Sequence, residues 1–164
     1  CPSGCSAARA AGPGVDDFVF AYALVYAFAS RTNTNPVIER ITVGGEPVDM
    51  AAGISVARCE KSEIEDCSVT KLDVAVPESS QEQDPNNVDA EGRALDEQIY
   101  VKYYMTEGQA KSDTVILFDP RRGRLSGTDY GIYPPQVAGR HRLWAVVHDN
   151  RGGVSWVELP LEAR

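Results

Sequence analysis

The chain has 164 residues and a formal charge of −8, with 43% hydrophobic and 24% charged residues. That size suits one domain able to bury a core without a metal staple. The acidic balance excludes nucleic acid and passive adsorption to anionic membranes, and no run approaches the roughly 20 apolar residues of a membrane helix. The acidity is uneven: residues 1–99 hold 7 Lys/Arg against 17 Asp/Glu, and residues 100–164 hold 9 against 7.

Residues 1–14 are rich in Ser, Ala, Gly and Pro and read as a flexible tether. The domain then spans 15–164. Its first element is the strongest periodic signal in the chain. Phe18, Phe20, Tyr22, Leu24, Tyr26 and Phe28 alternate with Val19, Ala21, Ala23, Val25, Ala27 and Ala29. A period of two sends the bulky side chains to one face, so 18–29 is predicted as an extra N-terminal strand. A polar turn ending in Asn35-Pro36 leads into a strand over Val37–Val43, which Gly44-Gly45 ends.

Shorter strands are expected at Ile54–Arg58 and Val69–Val76. Residues 77–97 read as a long acidic loop of the kind that is functional or inserted. Strands resume at Gln98–Met105 and Asp113–Asp119. The chain closes with Arg142–Asp149 and Val154–Leu161, joined by Asn150-Arg151-Gly152-Gly153, a turn whose residues tolerate positive φ. Eight strands and no helix predict an all-β protein, an antiparallel sandwich of about seven to nine strands.

Of the four cysteines, Cys59 and Cys67 flank a short polar segment and are expected to form a disulfide-closed loop. Zinc is the weaker alternative, because His141 and His148 are far from both and no Cys-x-x-Cys is present. Calcium is the most specific cofactor suggestion. Asn87-x-Asp89-x-Glu91-Gly92 echoes the oxygen spacing of an EF-hand loop but lacks its terminal bidentate carboxylate. Asp84, Asp89, Glu91 and Asp96 are the candidate ligands of an irregular site, with a solvated acidic loop as the default.

A hydrolytic triad of His148, Asp149 and Ser155 fails on geometry, since neighbours on a strand face opposite ways. His148 is read as a sheet-face residue and Asp149 as the start of a turn. A non-enzymatic protein follows. Binding rests on Tyr100 and Tyr104, on the basic turn Arg121-Arg122-Gly123-Arg124, and on a wider aromatic set: Tyr130, Tyr133, Trp144 and Trp156. A row of exposed aromatics is the signature of glycan binding, while core placement is the default for two tryptophans in a sandwich.

Two resemblances add to this. The opening Cys1-Pro2-Ser3-Gly4-Cys5 resembles a bacterial lipoprotein after signal-peptide removal, with acyl chains on Cys1. That implies membrane attachment through lipid and an extracytoplasmic address, at the outer membrane or cell surface. If Cys1 is instead internal to a longer chain, Cys1 and Cys5 can pair and the domain is one of several in a secreted protein. Asn33-Thr34-Asn35-Pro36-Val37-Ile38 and the closing stretch Leu143–Trp156 are similar to the two ends of immunoglobulin-like repeats, of the polycystic-kidney-disease and cadherin-like kind. They imply an Ig-like sandwich and no activity. The combined expectation is an envelope accessory that binds a protein partner, with a carbohydrate-binding or adhesion module as the alternative.

Overall fold

Alternation in the last third of the chain builds the centre of the larger sheet. The computed structural model describes residues 32–126 and 130–164. The expected tether at 1–14, the strand at 18–29 and both N-terminal cysteines therefore lie outside the described residues. Gly139–Asp149 and Val154–Ala163 form the long terminal hairpin. In the first of these, Leu143, Ala145 and Val147 are fully buried while Arg142 and Trp144 point the other way. Ile99–Met105 repeats the phase with Ile99, Val101 and Tyr103 inward. Such a pattern holds register, because a one-residue slip would turn the apolar set to solvent.

The described residues hold thirteen strands: β1 (Arg40–Val43), β2 (Glu46–Pro47), β3 (Ile54–Val56), β4 (Thr70–Ala75), β5 (Gln83–Val88), β6 (Ala94–Asp96) and β7 (Ile99–Met105). There follow β8 (Gln109–Ala110), β9 (Val115–Asp119), β10 (Gly123–Arg124), β11 (Gly131–Tyr133), β12 (Gly139–Asp149) and β13 (Val154–Ala163). Five strands form one sheet in the order β2-β1-β4-β11-β8, and six form another in the order β10-β9-β7-β12-β13-β3. The protein is all-β. One core joins the sheets: Ile41, Leu72, Val74 and Ile132 from the smaller pack with Ile99, Val101, Leu143 and Leu159 from the larger. Each such side chain contributes about 1.5–3 kcal/mol by leaving water.

Three expectations need correction. The sheets are not wholly antiparallel, for β3 runs parallel to β13 with Leu161 opposite Ile54. A parallel pair needs a distant crossover, which local periodicity does not encode. Residues 77–97 are not a long loop. They hold a 3-10 turn at Glu78–Ser80 and the β5–β6 hairpin, paired through backbone with a register shift and little apolar alternation. Short strands at β2, β8, β10 and β11 also escaped prediction, being two or three residues long.

The chain's two resembling motifs meet in space. Asn33 Nδ2 donates to Asp149 Oδ2 at 3.0 Å, and the Val154 N–H donates to Asn35 Oδ1 at 3.1 Å. From there the leading segment crosses to the smaller sheet, where the Glu39 N–H reaches Ala75 O. The N–H groups of Val154 and Arg164 both point away from β12. In an unbroken register so does the nitrogen of Pro160, which therefore costs the hairpin no bond, and β3 docks on that side from the next residue, Leu161.

Candidate recognition face

The residues that β7, β12 and β13 do not send inward form one outer face. Register aligns Tyr100 with His148 and Val154, Lys102 with Val146 and Trp156, and Tyr104 with Trp144 and Glu158. Ile116 of β9 extends the first row opposite Tyr100. Trp156 is 63% exposed and Tyr104 51%. The default expectation of two core tryptophans is thus overturned: once Leu143, Ala145 and Val147 face the core, Trp144 must face outward. The two indoles lie diagonally on the hairpin, since Trp144 pairs with Glu158 and Trp156 with Val146.

Polar groups hold this face in shape. Glu158 accepts from Trp144 Nε1 at 3.1 Å and from Arg142 Nη1 at 2.9 Å, fixing the indole from its edge. Tyr100 stacks on His148 with ring centroids 5.0 Å apart. Burial under that stack, and then the Lys102 ammonium, hold the His148 pKa below its ordinary value. The imidazole faces outward while Asp149 is buried, so the two do not cooperate in any triad. Asp149 starts the turn, its Oδ1 accepting from the N–H groups of Arg151 and Gly153 at 2.8 Å each.

The other predicted site residues are scattered. Arg121 and Arg122 lie exposed in the β9–β10 turn, their N–H groups bonded to Asp119 Oδ1. Arg124 donates through Nη1 to Val76 O at 3.0 Å, lies 5.8 Å over the Phe118 ring, and flanks a cleft of about 370 Å³ beside Leu72 and Leu117. Of the residues on which binding was expected to rest, Tyr100, Tyr104, Trp144 and Trp156 share the aromatic face, and the arginines of the basic turn do not.

Of the four proposed calcium ligands, Asp89, Glu91 and Asp96 line one shallow cleft that they share with Arg93 and Arg121, and Asp84 stands apart from it. Asp89 caps the β5–β6 turn, accepting from the N–H groups of Glu91 and Arg93 and from Arg93 Nε at 2.8 Å. Those bonds hold its carboxyl below the usual range. Asp84 is buried and bonds the Asn86 N–H, while Asp96 is exposed. Among the described residues no group of three or more His, Cys, Asp or Glu is arranged to hold a metal ion. Cys59 and Cys67 do form a disulfide.

Sequence reading missed one polar cluster. Glu97, with no exposed surface, sits against Arg151 Nη1 at 2.9 Å, near Glu82 and Asp149. Nothing in an acidic stretch marks one glutamate as the buried one; the only hint was its place directly before a strand.

Fold and face together define an all-β protein of two sheets around one core, carrying an aromatic outer surface. No protein-family model matches the chain, and no curated protein or solved structure matches it.

Proposed function

We propose that this protein is a non-enzymatic recognition module, an Ig-like sandwich held at the outer membrane or cell surface by lipid on Cys1. It binds a protein partner in an envelope assembly through the outer face of β7, β12 and β13. The observation that carries this reading is that face itself: the exposed Tyr104, Val154, Trp156 and Ile116 share it, joined across β7 and β12 by the half-buried Tyr100, Trp144, Val146 and His148. Isolated exposed apolar residues are ordinary, but a contiguous aromatic patch marks a contact surface, and Trp and Tyr dominate binding energy at such surfaces. The Cys59–Cys67 bridge supports an oxidising, extracytoplasmic compartment.

The test is site-specific photocrosslinking in native cells, with benzoylphenylalanine at Trp156 and, as a control, at the equally exposed Val137. A discrete protein adduct from the first position alone supports the reading. Equal yields, or none from either, overturn it. Intact mass of the native protein tests the anchor, which requires a diacylglyceryl group and an N-acyl chain on the Cys1 peptide.

Glycan binding is a second reading, favoured by the exposure of Trp156 and Tyr104 beside hydrogen-bonding groups on Arg142 and Glu158. A glycan array that retains wild-type protein and loses Trp156→Ala supports it. An empty array sinks it.

A further inference from the structure

The turn between β12 and β13 brings one guanidinium against two carboxylates, those of Glu97 and Glu82, with the Asp149 carboxylate close enough to Glu97 to act on its charge. Arg151 Nη1 lies 2.9 Å from Glu97 Oε1 and 3.5 Å from Glu82 Oε2, and it donates to Gln83 O at 3.2 Å. Its Nη2 donates to Thr32 O, so the same side chain grips the leading segment. Asp149 grips that segment a second time through Asn33, while its other oxygen holds the turn. Glu97 is fixed from behind: its N–H donates to Glu82 O at 2.8 Å, its Oε2 accepts from the Glu82 N–H, and its carbonyl accepts from Gln81 Nε2. The charged groups facing Glu97 are therefore Asp149 at the end of β12, Arg151 in the turn, and Glu82 ahead of β5.

One arginine cannot neutralise three carboxylates, and an ionised carboxylate without water is costly unless fully paired. The acid with no solvent contact is Glu97. We infer that this cluster is a pH-governed clasp on the leading segment, closed when Glu97 holds a proton and loosened when Glu97 ionises. Opening the clasp lifts Arg151 and Asn33 from their bonds and lets water reach the carboxylate, so the open form gains most when that group is charged.

Burial, then the Asp149 charge, push the Glu97 pKa from 4.5 up to about 7 in the closed form. With an ordinary carboxyl in the open form, linkage makes the opening equilibrium rise roughly 30-fold between pH 5.5 and 8.5. The inference is independent of what binds the aromatic face, which lies on the outer side of the sheet.

Hydrogen exchange on the full chain, corrected for intrinsic pH dependence, is the test. The hydrogen-bonded amides of the joint, those of Val37, Arg151, Gly153 and Val154, are expected to lose about 30-fold in protection over that range, while core amides such as Val101 and Ala145 hold theirs. Glu97→Gln abolishes the dependence at the joint. Glu82→Gln, which removes a like charge, moves its midpoint to lower pH. A wild-type joint with flat protection, or Glu97→Gln with the wild-type slope, overturns the inference. So does loss of protection shared equally by the core, or a Glu97 side chain that titrates near 4.5 by NMR.

Discussion

Gly152 and Gly153 are neighbours in one turn, yet the structure requires each for a different reason, and alanine at each separates the two. Gly152 has φ of +101°, and a Cβ there would meet nothing within 4 Å. Alanine costs only the strain of a left-handed backbone, about 1–2 kcal/mol. Gly153 has no such φ, but its Cβ would lie 2.0 Å from Asp149 Oδ2 and 2.9 Å from Asn33 Nδ2. The carboxylate must then move. Asp149 is 4% exposed and accepts from Asn33, Arg151 and Gly153. Hydrogen bonds to charged groups contribute about 1.5–3 kcal/mol each, and losing two of the three costs about 3–6 kcal/mol. Urea unfolding at pH 7 reads both variants, with the denaturant slope unchanged. In a double-mutant cycle, Asp149→Ala relieves most of the Gly153→Ala penalty, because the clash is then gone. A Gly153→Ala variant within about 0.5 kcal/mol of wild type, or one less harmful than Gly152→Ala, would refute the close-approach argument.

Further outcomes follow from the same structure. Glu97 titrates at about 7 when folded and about 4.5 when unfolded, so its contribution is full below pH 4.5 and is lost as pH rises through 7. At about 1.36 kcal/mol per unit this amounts to at most about 3 kcal/mol, read from thermal melts of wild type against Glu97→Gln. His148 works in the opposite sense: its depressed pKa gives stability that is present above about pH 6.5 and lost on acidification, so His148→Gln removes that loss below about pH 6.5 and leaves the slope above it unchanged. The Cys59–Cys67 bridge closes a loop of sequence separation 8. The double alanine variant is expected to lose about 2.5 kcal/mol by the chain-entropy rule, and an unchanged Tm under reductant would contradict that. Millimolar calcium is expected to leave Tm unmoved, since Asp89 is already occupied by Arg93; a clear upward shift would reinstate the acidic site.

Sequence alone was enough for the strands whose side chains alternate. Leu143, Ala145 and Val147 announce their face through their own spacing, and so do Ile99, Val101 and Tyr103, because a strand's two-residue repeat is a local property. The Cys59–Cys67 loop was legible for a similar reason, its two ends being close along the chain. Partnership was not legible. The parallel docking of β3 on β13 joins residues about a hundred positions apart, and the β5–β6 hairpin is held by a capping aspartate and backbone bonds rather than by pattern. The outward turn of Trp144 and Trp156 could have been read from the phase of their apolar neighbours; average burial tendencies pointed the other way. Glu97 could not have been singled out from the 24 acids of this chain. Only tertiary structure brings it against Arg151, Glu82 and Asp149, and seals it from water. Alternation is written residue by residue, whereas burial of a charge depends on which distant segments close over it.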